Sequence, residues 1–260
     1  TILVHRIPIE TPVQTSFGIM RDRPSVLLRI EDDDGAVGYG EVWCNWPNVG
    51  AEHRARLLEA VILPLAGDSG LLHEPAALWR WLVPRLRILA IQSGEPGPIA
   101  QCLAGLECAL QDLMARRAGL PLARHLSPGA SATVAVYASG INPTGAPQTA
   151  ERAIAAGYGA CKIKIGFGAA RDRDNLMGAR ALLGPGRRLM ADANQAWTLD
   201  EALAFAQTAD EAGLAWLEEP LPHDAPDADW KRLAETMRTP LAAGENFSSD
   251  RDFAELPVAR

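Results

Sequence analysis

Apolar and polar positions follow two different rhythms along this chain, and the change between them divides it. Residues 1–43 alternate: ILVHRIPI and SVLLRIE are extended apolar stretches, and EDDDGAVGYGEV places a turn at Asp34-Gly35 before a short alternating run. These predict an antiparallel meander. From Ala51 to Gly119 the spacing becomes helical, with Leu103, Leu106, Leu110, Leu113 and Met114 recurring at intervals of three and four, and GLP then ends the helix. The Pro- and Gly-rich SGEPGP (93–98) predicts the loop before it. Strands followed by helices predict an α+β first domain over residues 1–125.

Beyond Gly129 short apolar strands alternate with Ala-rich helical segments: TVAVYASG and a helix near 146–157, ACKIKIG and 171–183, RLMADANQ and 199–212, LAWLEEP and 227–237, then PLAAGEN. Repeated βα units predict a parallel sheet over residues 126–260, open or closed into a barrel.

Polar residues interrupt these strands at a regular interval. Lys164, Asp192, Glu218 and Glu245 each stand at a strand's C-terminal end, separated by 28, 26 and 27 residues. That interval is one βα unit, so four consecutive strands project Lys, Asp, Glu and Glu from one rim, where parallel α/β folds build their chemistry. Alternation puts Lys162 beside Lys164 and Asn194 beside Asp192 on one face, and separates Glu218 from Glu219. Taken singly, KIK is a solvated strand face, DAN a turn and GEN a loop. Together they form a pattern of position, spacing and charge. Three converging carboxylates repel one another unless a cation lies between them. An all-oxygen set calls for a hard divalent ion, Mg²⁺ above all, since no histidine stands at a strand end of the repeating segment. A lysine crowded by a second lysine and a metal has its ammonium form disfavoured, which makes it a base near neutral pH.

Composition narrows the function class. The chain has 260 residues, 48% hydrophobic and 22% charged, with a net charge of −7 and no basic run, which gives no footing for nucleic acid or a membrane surface. Its longest apolar run, AVILPLA, is too short to span a bilayer. The N-terminus has no signal-peptide pattern, and four scattered cysteines read as reduced thiols, so the expected location is cytoplasmic.

The ordered motifs KIK (162–164), DAN (192–194), EEP (218–220) and GEN (244–246) resemble the enolase superfamily, within it the mandelate racemase/muconate lactonizing enzyme group. GEN is similar to its mandelate racemase branch. GAVGYGEV (35–42) resembles the N-terminal meander of that group and LAGLECALQDLMARRAGLPL (103–122) the helix closing its capping domain, while HLSPG (125–129) replaces the usual LLGG. The resemblance implies a capping domain on a TIM-type β/α barrel, with about five of its eight strands in this sequence. It implies Asp192, Glu218 and Glu245 as Mg²⁺ ligands and Lys164 as the base that takes the α-proton of a small-molecule carboxylate, leaving a metal-stabilised enediolate. Lys162 would contact the substrate carboxylate and lower the pKa of Lys164, and Asn194 would assist near the metal. The outcome would be racemisation, dehydration or cycloisomerisation of a hydroxy or sugar acid. A lysine-based epimerase or lactonizing enzyme is the alternative within the superfamily, and a metal-binding fragment that needs a partner chain the alternative outside it. A second catalytic residue, a His supported by Asp, is expected on later strands. Phe17, Arg21, Trp46 and His53, on loops 15–23 and 44–54 of the capping domain, are the expected specificity contacts. Five strands do not close a barrel, so the chain is expected to continue past Arg260 by about 100 residues. The other cover for the open edge is a partner chain, and a homo-oligomer is the expected assembly.

Overall fold

The computed structural model describes residues 1–15, 18–247 and 253–254. The chain divides into two compact units, Thr1–Glu10 with Arg21–Ala132, and Thr11–Met20 with Thr133–Arg260.

The first unit carries the meander except for its tip, Thr11–Met20, which groups with the second. Strands β1 (Ile2–Thr15), β2 (Gly18–Glu31) and β3 (Val37–Val42) form a sheet in that order, β2 and β3 antiparallel with Leu28 opposite Gly40. Asp32 closes the β2–β3 turn by accepting the N–H groups of Asp34 and Ala36, and Gly35 takes a φ of +81°. Helices follow: α1 (Gly50–Leu57) runs through a π-helical stretch (Leu58–Ile62) into α2 (Leu63–Asp68), then come α3 (Pro75–Ser93), α4 (Pro96–Arg117) and α5 (Leu122–Leu126). Helix α4 starts two residues earlier than the helical spacing indicates. Pro96 enters its first turn, where the missing N–H costs no hydrogen bond, so the loop shrinks to Gly94 and Glu95. The Leu103–Leu106–Leu110 stripe of α4 packs with Val26, Leu28 and Val42 of the sheet and with Leu58, Leu78 and Leu82.

Two loop assignments are corrected here. Arg21 is an exposed residue inside β2 (Gly18–Glu31), not on a loop. His53 lies on α1, since AEHRARL favours helix, with Nε2 2.7 Å from Glu95 Oε1. Trp46 does lie on the β3–α1 loop, partly buried, before a cis bond to Pro47. Phe17 falls outside the described residues.

The second unit repeats βα: β4 (Ala138–Ile141), α6 (Ala146–Ala155), β5 (Ala160–Lys164), α7 (Ala169–Leu183), β6 (Arg188–Asp192), α8 (Leu199–Glu211), β7 (Leu217–Glu218), α9 (Asp227–Thr236), β8 (Leu241–Ala242). The five strands are adjacent in chain order, and β5 to β8 pair in parallel. This is a partial α/β barrel in the sense that consecutive βα units line up one after another. One face of the sheet is apolar: Cys161, Ile163, Ile165, Leu189, Ala191, Ala193 and Leu217 are buried with Leu176, Ala179, Phe205 and Leu233 of the helices. The opposite face, one residue out of phase, carries the polar residues. Strand β4 begins at Ala138, later than TVAVYASG indicates, and residues 133–137 are exposed. In the same unit, Asn142 holds the meander tip: its Oδ1 accepts from the Gln14 N–H (3.2 Å) and its Nδ2 donates to the Pro12 carbonyl (3.2 Å).

Candidate metal and base site

Sheet register sets the level of three of the four strand-end residues. Lys164 lies opposite Asp192, and Asp192 opposite Glu218, across adjacent parallel strands. Their side chains leave the polar face together. Glu218, however, pairs with Ala242, so Glu245 stands three residues beyond the level that equal spacing indicates. A turn brings it back: Gly244 has φ +136°, and the Phe247 N–H donates to the Gly244 carbonyl (3.1 Å). Oxygens of Asp192, Glu218 and Glu245 then lie within 4.8 Å of one another, the one such acidic group of three or more found among the described residues.

The two lysines enter this group from β5. Lys162 Nζ donates to Glu218 Oε1 (2.5 Å) and lies 3.3 Å from Asp192 Oδ2. Lys164 Nζ donates to Asp192 Oδ2 (2.6 Å) and to Asn194 Oδ1 (2.6 Å). Asp192 is fully buried, and its other oxygen accepts the Asn194 N–H (2.9 Å). Asn194 Nδ2 reaches Glu245 Oε1 at 3.4 Å. Lys162, Lys164, Asp192, Asn194, Glu218 and Glu245, all singled out from the sequence, therefore meet at one place.

Charge is crowded here, and the titration behaviour reflects it. Burial pulls the Lys162 ammonium down, but Glu218 and Asp192 outweigh it and the net shift is upward. Glu245 is exposed as a residue, yet desolvation of its carboxyl end pushes it up, helped by Asp192. Glu219, 1% exposed, is pushed up to about 7, first by burial and then by the neighbouring acids, against a hydrogen bond from Asn246. These carboxyls resist ionisation beside one another, which a shared cation relieves.

The donor set fits a hard divalent ion. All three ligating groups are carboxylates, and the lysine ammoniums already occupy cation positions against two of them.

Sequence reasoning missed three participants. Trp216 Nε1 donates to Glu218 Oε2 (3.1 Å), and Tyr137 meets Trp216 edge-on with ring centroids 5.6 Å apart while lying 6.0 Å from Lys162 Nζ. Trp216 sits two residues before Glu218, so strand alternation alone puts it on the polar face. Asn246 Nδ2 donates to both oxygens of Glu219, and its only sequence signal is its place next to Glu245.

Comparison with known proteins accords with this geometry. Residues 1–126 match the mandelate racemase/muconate lactonizing enzyme N-terminal domain, and residues 146–259 the enolase C-terminal domain-like family. A D-galactarolactone cycloisomerase of Agrobacterium fabrum is 32% identical over 254 residues, 95% of this chain and 63% of that protein. A mandelate racemase/muconate lactonizing enzyme structure from Bordetella bronchiseptica superposes with a TM-score of 0.88 at 47% identity, covering 100% of this chain and 69% of its own. A Streptomyces coelicolor racemase with bound magnesium gives 0.87 at 28% identity, covering 98% and 70%. The chain thus spans about 63% of the length of the cycloisomerase it matches. Among the described residues, no helix is long and apolar enough to cross a membrane.

Proposed function

The chain belongs to the mandelate racemase/muconate lactonizing enzyme family of the enolase superfamily, and from that premise we propose that it takes part in removing the α-proton of a hydroxy- or sugar-acid carboxylate. One observation carries the reading. Lys164, Asp192 and Glu218 share a level on three adjacent strands, and Glu245 reaches the same group within 4.8 Å.

On this reading Asp192, Glu218 and Glu245 hold Mg²⁺, the ion named with the similar S. coelicolor racemase. When bound, the ion supplies positive charge for the negative charge that builds on the substrate carboxylate as its α-proton leaves. The remaining work falls to side chains of this chain. Lys164 takes the proton on Nζ, and Asn194 Oδ1, 2.6 Å away, aims that amine. Proton transfer needs Lys164 neutral, so its contact with Asp192 must exchange for a contact with substrate. Lys162, held by Glu218 Oε1, remains charged and orients the substrate carboxylate. Trp216 occupies Glu218 Oε2 and so fixes the rotation of that carboxylate.

The sugar-acid class draws on the similar cycloisomerase, whose name gives a galactarolactone. The mandelate racemase branch, with racemisation, dehydration or cycloisomerisation as outcome, belongs to this same reading. So do the division into a capping part (1–125) and a barrel part (126–260), substrate contacts from Phe17, Arg21, Trp46 and His53, homo-oligomeric assembly and a cytoplasmic location.

The test is solvent exchange. A panel of sugar acids incubated with protein and Mg²⁺ in D₂O should lose its α-proton signal in ¹H NMR. Lys164→Ala should abolish the exchange while Mg²⁺ affinity stays near that of the unchanged protein. Exchange that survives the substitution at full rate removes Lys164 as the base.

A further inference from the structure

Sheet pairing holds Asp192 and Glu218 in place, but Glu245 lies outside the ladder on a glycine turn. Apart from the long contact from Asn194 Nδ2 (3.4 Å), something else must fix its distance from the other two. The neighbouring residue does so: Asn246 Nδ2 donates to Glu219 Oε1 and Oε2, both at 2.9 Å. Glu219 is in turn tied through its main chain to the strands on either side. Its N–H donates to the Ala242 carbonyl (2.9 Å), and its carbonyl accepts from the Gln195 N–H (2.7 Å). One residue thus connects the chain just after Asp192, the chain beside Glu218 and the chain beside Glu245.

The local conformation makes this arrangement costly. Glu219 has φ +43°, a left-handed conformation that carries a penalty for a residue with a side chain. Its carboxyl is 1% exposed, and burying such a group needs compensation. Asn194 and Gln195, which flank it across the strand end, also have positive φ, +45° and +61°. Strain of this kind persists where the surroundings over-determine the backbone, and it concentrates at functional sites.

We propose that Glu219 is a positioning residue, which sets the separation of the three carboxylates by holding Asn246 and with it the Glu245 turn. This rests on the metal-site reading above. The residue touches no substrate; it acts through Asn246.

Mn²⁺ binding, followed by the electron paramagnetic resonance of the free ion, tests this without reference to turnover. The variants are Glu219→Gly, which suits the positive φ and removes the side chain with its carboxyl, and Asn246→Ala, which cuts the other end of the contact at an exposed position. Each should lower Mn²⁺ affinity about 10- to 100-fold, the usual effect of losing a group that orients a metal ligand. The double variant should bind no more weakly than the weaker single one, because both changes break one contact. Affinity within about twofold of the unchanged protein in either folded single variant overturns the proposal, as do losses that multiply in the double. Asp192→Asn separates the two readings. If the unchanged protein and Asp192→Asn take up Mn²⁺ equally, the metal site itself is wrong and the proposal falls with it.

Discussion

Two glycines in the first unit should respond to the same substitution with opposite sign. Gly40 lies on β3 facing α4, and a Cβ built there would strike the Gly105 carbonyl oxygen, with Ala109 N at 2.7 Å and Ala109 Cβ at 3.0 Å. Ordinary contacts of such an atom lie at 3.4–4 Å. The obstructing atoms are helix backbone, so relief requires α4 to move out by about 1 Å, a gap at which packed atoms forfeit up to half of their dispersion energy. Leu106, Ala109 and Leu110 of that helix are at most 1% exposed, so this core bears the loss directly. Gly40→Ala should therefore destabilise the protein by about 3 kcal/mol, the upper part of the range for overpacking. At roughly 3–4 °C per kcal/mol for a unit of this size, the melting temperature falls by about 10 °C. Gly67, in the last turn of α2, has open space around its Cβ position and no positive φ. Gly67→Ala should stabilise by about 0.4–1 kcal/mol, by narrowing the unfolded ensemble. Urea denaturation followed by far-UV circular dichroism measures both. If Gly40→Ala lies within about 0.5 kcal/mol of the unchanged protein, the helix yields freely and the close-packing argument fails.

Asp210 gives a pH signature. Burial pushes its carboxyl up, but the N–H groups of Arg238 and Thr239 and the Thr239 hydroxyl outweigh this and hold it below the ordinary aspartate range. Folding thus favours the ionised form. The stabilisation is present above the unfolded value of about 3.9 and is lost as pH falls through the lower folded value. Asp210→Asn should lower the urea midpoint at pH 6 and have a diminishing effect below pH 4; an equal effect at both would exclude an ionic contribution. The cysteines should react unequally with iodoacetamide in the native state. Burial pushes the Cys102 thiol up to about 12 and Cys44 and Cys161 are also buried, so Cys108, which is exposed, should be alkylated first. Peptide mass spectrometry at pH 8 reads this directly, and early labelling of Cys102 would contradict the packing of α4.

Much of this molecule is written in local pattern. The spacing of leucines from Leu103 to Leu113 places a helix, alternation in ACKIK and RLMAD places strands, and period-two geometry puts Lys162, Lys164, Asp192 and Asn194 on one face. Those signals survive because helix and strand periodicity depend only on neighbours in the chain. The recurrence of acids at strand ends is likewise legible, since each βα unit returns the chain to the same rim. What the residues could not disclose by themselves depends on pairing and backbone strain. Glu218 stands opposite Ala242, so the level of Glu245 is decided by register and by the Gly244 turn, not by counting residues. Asn246 meets Glu219 because three strand ends converge, two of them through non-glycine residues at positive φ, of which Gln195 and Glu219 are types that propensity disfavours there. Residues 11–20 group with the second unit through Asn142, more than a hundred positions away. Sequence determines which side chains carry the chemistry and which face each takes on its own strand. Tertiary structure decides how far apart they stand, because that distance is set by contacts between segments remote in the chain, whose energies no local window contains.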